Sequence, residues 1–240
     1  MSQTIQGLWI GKELSTLEKL SISSFLKNGH EYHLYVYEDV KNVPDGTTIK
    51  DGNEIIGGDK IFSYQVGEGR GSYSAFSNFF RYKLLFDKGG WWADTDMICL
   101  QPFSFEEKYV FATELYQGRN HVTSGIIKAQ AGSEAIKHGW EVCQNKDTNK
   151  LVWGEVGPRL VSEIVEKHSL QEYVKPYETF CPLGFESWAQ ILNPNVELNF
   201  SKNTYAVHLW NEMWRRNSMH KDISYHSKCL YEQFKEKYLS

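Results

Sequence analysis

The chain has 240 residues, 41% hydrophobic and 23% charged, a balance that fits one packed domain over residues 1–240 and excludes a disordered chain. Its formal net charge of -4, without any Lys/Arg run, gives no field for a phosphate backbone and argues against nucleic acid as a partner. No apolar run approaches the ~20 residues of a transmembrane segment, and the first residues lack the basic flank and apolar core of a signal peptide. Cys99, Cys143, Cys181 and Cys229 are far apart and without CxxC spacing, so the expectation is free thiols in a cytoplasmic protein.

Residues 5–10 read as a buried strand, and Gly11 with an N-cap at Ser15 introduces a helix over about 16–28. A second strand alternates over 32–37. Residues 41–60, with Pro44-Asp45-Gly46, Asp51-Gly52 and Gly57-Gly58, read as a loop-rich excursion. Another Gly-rich stretch, Gly67-Glu68-Gly69-Arg70-Gly71, leads into a helix over about 73–88. On that helix Ser74, Ser77, Asn78 and Arg81 share one face, opposite Phe76, Phe79 and Phe80, a polar stripe suited to facing a site.

Gly89-Gly90 stops this helix, and Trp91-Trp92-Ala93 delivers Asp94-Thr95-Asp96 before strand character resumes at 97–100. Further strands are expected over 109–113, 121–129 and 205–209, and helices over 133–145, 156–168 and about 222–238, the last preceded by a Trp-rich loop. The alternation predicts an α/β fold, a sheet flanked by helices, with sites at the carboxyl ends of its strands.

Two acids separated by one residue at a strand end bring carboxylate oxygens close enough to share one divalent cation, and Mg2+ and Mn2+ prefer such hard ligands completed by phosphate and water. An acid-x-acid string alone is weak evidence. Here it lies in an apolar, Trp-rich run, where an unpaired carboxylate would be costly. Phosphatases of the haloacid-dehalogenase type also begin with Asp-x-Asp after a strand, but near the start of the domain; here the pair is mid-chain, behind Gly89-Gly90.

The run from Phe76 through Arg81, Tyr82 and Leu85, followed by Gly89-Gly90-Trp91-Trp92-Ala93-Asp94-Thr95-Asp96, resembles the DXD sugar-binding region of glycosyltransferase family 32. The resemblance is clearest over 73–103, with weaker support from Leu8-Trp9 and from Val207-His208-Leu209-Trp210. It implies a GT-A fold with a mixed central sheet, a retaining metal-dependent hexosyltransferase activity, and Mn2+ or Mg2+ held by Asp94 and Asp96. It further implies a UDP-sugar donor, galactose or glucose favoured, and a glycan acceptor, free or lipid-linked, in surface polysaccharide synthesis. The enzyme would be cytoplasmic, either free or peripheral at the inner face of the membrane.

The resemblance also assigns residues. Arg81 matches a donor-phosphate or sugar contact, and Asn78 stands where the family carries an Asp for sugar or ribose hydroxyls, so it brings an amide without the negative charge. Ser77 shares the donor-facing stripe. Trp9 corresponds to an aromatic residue that packs on the donor base, or else to a core Trp. His208 corresponds to a third metal ligand or a structural histidine. Ser124 and Gly125 match a sugar contact or a tight-packing pair. Glu155, before Gly157-Pro158, fits an acceptor contact or a helix-start carboxylate, and Trp210 and Trp214 are placed on the acceptor side. Two other readings share this site: a transferase acting on a host protein, and a nucleotide-sugar-binding protein without catalysis.

Overall fold

The structure, a computed structural model, describes residues 4–240; residues 1–3 of the N-terminal reading lie outside it. Strand β1 (Thr4–Leu8) is followed by α1 (Thr16–Lys27), β2 (Glu31–Val36) and β3 (Thr47–Asp51). Then come α2 (Ser74–Lys88), β4 (Gly90–Ala93), β5 (Met97–Cys99), β6 (Val110–Tyr116) and β7 (Arg119–Ala129). Helices α3 (Glu134–Gln144), α4 (Pro158–Lys167) and α5 (Tyr177–Phe180) precede β8 (Ala206–His208), α6 (Asn211–Arg216) and α7 (Leu230–Leu239).

The main sheet has the order β3-β2-β1-β4-β7-β6, with β5 and β8 forming a separate antiparallel pair. Strands β3, β2, β1 and β4 run parallel, while β7 runs antiparallel to both β4 and β6. The carboxyl ends of β1, β4 and β6 therefore reach the same edge as the amino end of β7. One face of the sheet packs on α2, α3 and α4 through Phe76, Phe80, Ile136, Leu160 and Ile164. The other packs on α1 and the 103–105 segment through Ile22, Phe25, Trp91 and Phe103. A third apolar cluster joins α6 and α7 to α1 and β8 through Trp214, Tyr231, Phe234, Leu20 and Val207.

The mixed, helix-flanked sheet agrees with the sequence expectation, and most boundaries agree within a few residues. Helix α5 is an element the sequence reading did not include, and three other regions differ. Residues 41–60 hold an edge strand, β3, which pairs with β2 from Tyr32↔Thr47 to Val36↔Asp51; its burial is partial at best, so its sequence shows no apolar alternation. The Trp-rich loop contains helix α6. The last helix starts at Leu230 rather than 222, because the preceding residues serve α1 instead. Asp222 Oδ1 accepts from the Thr16 amide (2.7 Å) and hydroxyl (2.8 Å), and the Lys221 ammonium meets the fully buried Glu18 at 2.7 Å.

Candidate active site

Helix α2 is amphipathic in the sense its sequence implies: Phe76 and Phe80 enter the core while Asn78 and Arg81 line the opposite stripe. Gly89 ends the helix at φ 65°, a left-handed conformation that a glycine adopts without steric cost. The chain then reverses into β4 and brings Asp94 back beside Arg81. That guanidinium is only 2% exposed, where an unpaired charge would be costly. Its Nη2 donates to Asp94 Oδ1 at 2.5 Å, its Nη1 donates to Asn78 Oδ1, and it lies 4.8 Å from the Trp92 ring centre. The Trp92 indole N–H donates to the same Asp94 oxygen at 2.8 Å.

Asp96 is held from the other end of the chain. Strand β8 pairs with β5 so that His208 opposes Met97. Its Nε2 lies 3.1 Å from Asp96 Oδ2, which also accepts the Asn211 amide at 2.7 Å. Trp210, between them, takes a left-handed backbone (φ 56°, ψ 56°), an uncommon state for a bulky residue that turns the chain into α6 and aims the Asn211 N–H at the carboxylate. Its ring packs 3.8 Å from the His208 ring.

One ligand atom each from Asp94, Asp96 and His208 lie within 4.8 Å of one another. Two carboxylates and an imidazole form a donor set for Mn2+ or Mg2+. The 3.1 Å separation of Asp96 Oδ2 and His208 Nε2 matches the edge of an octahedron with bonds of ~2.1 Å, about 3.0 Å, so these residues fit the implied cation. Burial disfavours charge on the His208 ring, yet the Asp96 carboxylate and the Cys181 thiol together outweigh it and hold the imidazole pKa well above its ordinary value. Burial likewise pushes Asp96 up, but His208 and the Asn211 amide outweigh it and leave the net value lowered. Asp94 is raised, burial and Asp96 together exceeding the pull of Arg81.

Strand β7 completes the floor. Between the pairs Phe111↔Ile127 and Thr113↔Val122, β6 spends one residue where β7 spends residues 123–126, a bulge that re-aims Ser124 and Gly125. The Gly125 carbonyl accepts the Asp94 amide at 2.8 Å, and a Cβ on Gly125 would lie 3.5 Å from both Asp94 Oδ2 and the His208 ring. Gly157 closes in from before α4: a Cβ there would stand 3.1 Å from Asn78 Nδ2 and 3.3 Å from Ser124 Oγ, tight enough to displace one of them.

Of the other sequence-derived residues, Trp9 lies just past β1, half-buried, its indole N–H donating to the Glu13 carbonyl at 3.1 Å. Ser77 is half-buried on the α2 stripe. Trp210 stands at the cleft. Trp214 does not: it is fully buried among Trp188, Tyr225 and Tyr231 and donates to the Leu209 carbonyl at 2.8 Å, because α6 turns that face onto α7, which corrects its acceptor-side placement. Glu155 is engaged by Lys146 (2.8 Å) and the Val152 amide (3.1 Å), the arrangement of a structural carboxylate ahead of α4 rather than a free acceptor contact. A cavity of about 700 Å³ lies elsewhere, against the aromatic face of α2 and lined by Ile55, Ile61, Phe62, Phe79 and Trp140.

Sequence reasoning missed Asn211, whose contribution is a backbone amide that no side-chain pattern reveals. It also missed Glu114, near the end of β6. One Glu114 carboxylate oxygen is enclosed without a hydrogen-bond partner, and burial raises its pKa against the opposing pull of nearby His208. An acid near the end of a strand that shares its edge with Asp94 was the available signal.

The profile described as "Glycosyltransferase sugar-binding region containing DXD motif" matches residues 15–115, and that described as "Alpha 1,4-glycosyltransferase conserved region" matches residues 145–238. Two glycosyltransferase regions thus match along the chain, the first of them the one that carries the DXD motif. Arg81, Asp94 and Asp96 fall in the first matched region and Gly157, His208 and Trp210 in the second, so the cluster is where the two regions meet.

The chain is 25% identical over 150 residues to the human (Homo sapiens) alpha-1,4-N-acetylglucosaminyltransferase, covering 55% of this chain and 41% of that protein. It is 26% identical over 157 residues to the lactosylceramide 4-alpha-galactosyltransferase of Rattus norvegicus, covering 55% and 39%. The match thus spans about two fifths of the length of these relatives. The solved PaToxG glycosyltransferase superposes with a TM-score of 0.51 at 14% identity, covering all of this chain (100%) and 86% of that one. That likeness is one of fold, which is GT-A. Among the described residues no helix is long and apolar enough to cross a membrane.

Proposed function

We propose that the chain is a retaining, divalent-cation-dependent hexosyltransferase that uses a UDP-sugar, with galactose or glucose as the sugar and a glycan hydroxyl as acceptor, in surface polysaccharide synthesis. The observation that carries this reading is the convergence of Asp94, Asp96 and His208 beside the buried Arg81–Asn78 pair at the carboxyl edge of the sheet. Two named relatives form α-linkages, one of them with galactose, which supports retention and the choice of a hexose. The described residues act as one catalytic domain in this reading, at the cytoplasmic side of the membrane.

A cation bound by Asp94, Asp96 and His208 supplies Lewis-acid neutralisation of the donor diphosphate. The chain's own groups position the rest. Half-buried Trp9 offers an indole for the base at the end of β1, Ser124 and Gly125 line the floor where the sugar lies, and Asn78 offers its amide to sugar or ribose hydroxyls. Arg81 fixes Asp94 and keeps a positive charge at the cleft. Retention proceeds by same-face attack: the acceptor oxygen bonds to the anomeric carbon, the bond from that carbon to the phosphate oxygen breaks, and the acceptor proton passes to the leaving phosphate. This route asks the protein for positioning and electrostatic stabilisation.

Thermal-shift measurements with UDP- and GDP-sugars, in Mn2+ and in EDTA, test the proposal. A UDP-sugar at 100 times its dissociation constant should raise Tm by about 5–10 °C, and only with the cation. The absence of any cation-dependent shift across the set would overturn it.

A further inference from the structure

We propose that Glu114, with the aromatic wall Tyr116, Phe185 and Trp210, forms the subsite for the acceptor sugar; the inference rests on the donor site proposed above. Order across the sheet is the first support. Trp9 ends β1, Asp94 ends β4, Ser124 and Gly125 sit on β7, and Glu114 lies on β6, all toward one edge in the order β1-β4-β7-β6. A donor laid with its base at Trp9 and its diphosphate at Asp94 directs its sugar toward β7. The next position outward is β6.

The second support is the unfilled chemistry there. Glu114 has one carboxylate oxygen enclosed and without a protein partner, whereas buried polar groups in folded proteins are nearly always bonded. It lies within the field of His208. Beyond it Tyr116 and Phe185 rings lie 5.2 Å apart, Phe185 and Trp210 6.0 Å, and Trp210 packs on His208, so a partly exposed aromatic wall runs from the strand end to the cluster. A sugar ring has an apolar C–H face and a rim of hydroxyls. The wall suits the first, and a carboxyl group without a protein partner, an acceptor when ionised, suits the second.

The test measures transfer from the best-binding UDP-hexose onto methyl β-galactoside, β-glucoside and β-N-acetylglucosaminide, with UDP affinity in Mn2+ measured alongside. Glu114→Gln and Glu114→Ala should raise the acceptor KM about tenfold or more, because a charge-assisted hydrogen bond is lost. Their UDP affinity should stay within about twofold, since UDP ends short of this subsite, and Tm should hold or rise once the unpaired carboxylate is gone. Tyr116→Ala should raise the same KM. Parental acceptor KM in both Glu114 variants, or UDP affinity falling in step with transfer, would overturn the proposal. So would a parent protein that binds a UDP-hexose and transfers to none of the glycosides. A parent that binds no UDP with Mn2+ would instead overturn the donor reading beneath it.

Discussion

Asp94 and Asp96 are two residues apart, yet different parts of the chain hold them. Asp94 is fixed by near neighbours in sequence, Arg81 and Trp92, on an adjoining helix and its own strand. Asp96 is fixed by His208 and the Asn211 amide, 112 and 115 residues away. The first arrangement is a local motif that helix α2, the Gly89 stop and β4 build between themselves. The second exists only once β8 has paired with β5 and Trp210 has taken its left-handed turn. A local motif thus supplies half of the cluster, and closure of the C-terminal region supplies the rest.

Removing the charge on the distant side should have the largest effect. Asp96→Asn keeps an oxygen for the Asn211 amide but withdraws a charged ligand from the cluster, and a loss of several kcal/mol of charge stabilisation corresponds to a fall in turnover of at least about a hundredfold. Steady-state transfer across a Mn2+ titration reads this, with circular dichroism to show an intact fold. Undiminished turnover with Mn2+ still required would remove Asp96 from the ligand set. On the near side, Arg81→Lys keeps the charge but cannot serve Asp94 and Asn78 together, leaving a buried acceptor short of a donor. Expected are a stability loss of about 1–3 kcal/mol by denaturant titration and a fall in kcat/KM of about tenfold.

The distant side also answers pH. His208 has a raised pKa in the folded, cation-free protein, so its pairing with Asp96 contributes stability that is full below the unfolded value of about 6.5 and is lost as pH rises through the folded value. Cation binding needs the neutral imidazole and so strengthens over the same rise. The Tm increment produced by Mn2+ should therefore grow between about pH 6 and pH 8.5, by up to the equivalent of tenfold in affinity per pH unit while His208 is charged. His208→Asn should flatten that slope. A flat slope in the parent would detach His208 from the cation.

How far the fold could be read from sequence follows the same division. The polar stripe Asn78–Arg81, the Gly89 stop and the acids after Trp92 were legible because helical spacing and a strand end fix their neighbours. Edge strand β3 was not: Thr47–Asp51 is recruited by pairing with β2 rather than by burial of an apolar face. Nor was the late start of α7, since Asp222 is committed to the start of α1, 206 residues away in the chain. Trp210 and Trp214 show the limit most plainly. Four residues apart and alike in composition, one lines the cleft and the other fills the core, and only the packing of α6 on α7 separates them.

The smallest expected effect sharpens the near side, at Asn78, where the sequence resemblance led to the expectation of an acid. Asn78 Oδ1 accepts from Arg81, while a Cβ on Gly157 would lie 3.1 Å from Nδ2, so the amide is wedged between the guanidinium and the chain before α4. Asn78→Asp would strengthen the bond to Arg81, since a carboxylate accepts about twice as strongly as an amide, and would draw Arg81 away from Asp94. It would also remove the Nδ2 donors and add negative charge beside the diphosphate site. The gains and losses nearly cancel, so kcat/KM for the best UDP-hexose should change only about two- to tenfold. The change should be concentrated in the sugar-dependent part: UDP alone should bind within about threefold of parent. Phe79→Leu, on the opposite, aromatic face of α2, is the control and should lower Tm while leaving kcat/KM near parental. Identical kcat and KM for Asn78→Asp and the parent would show that this position does not touch the donor.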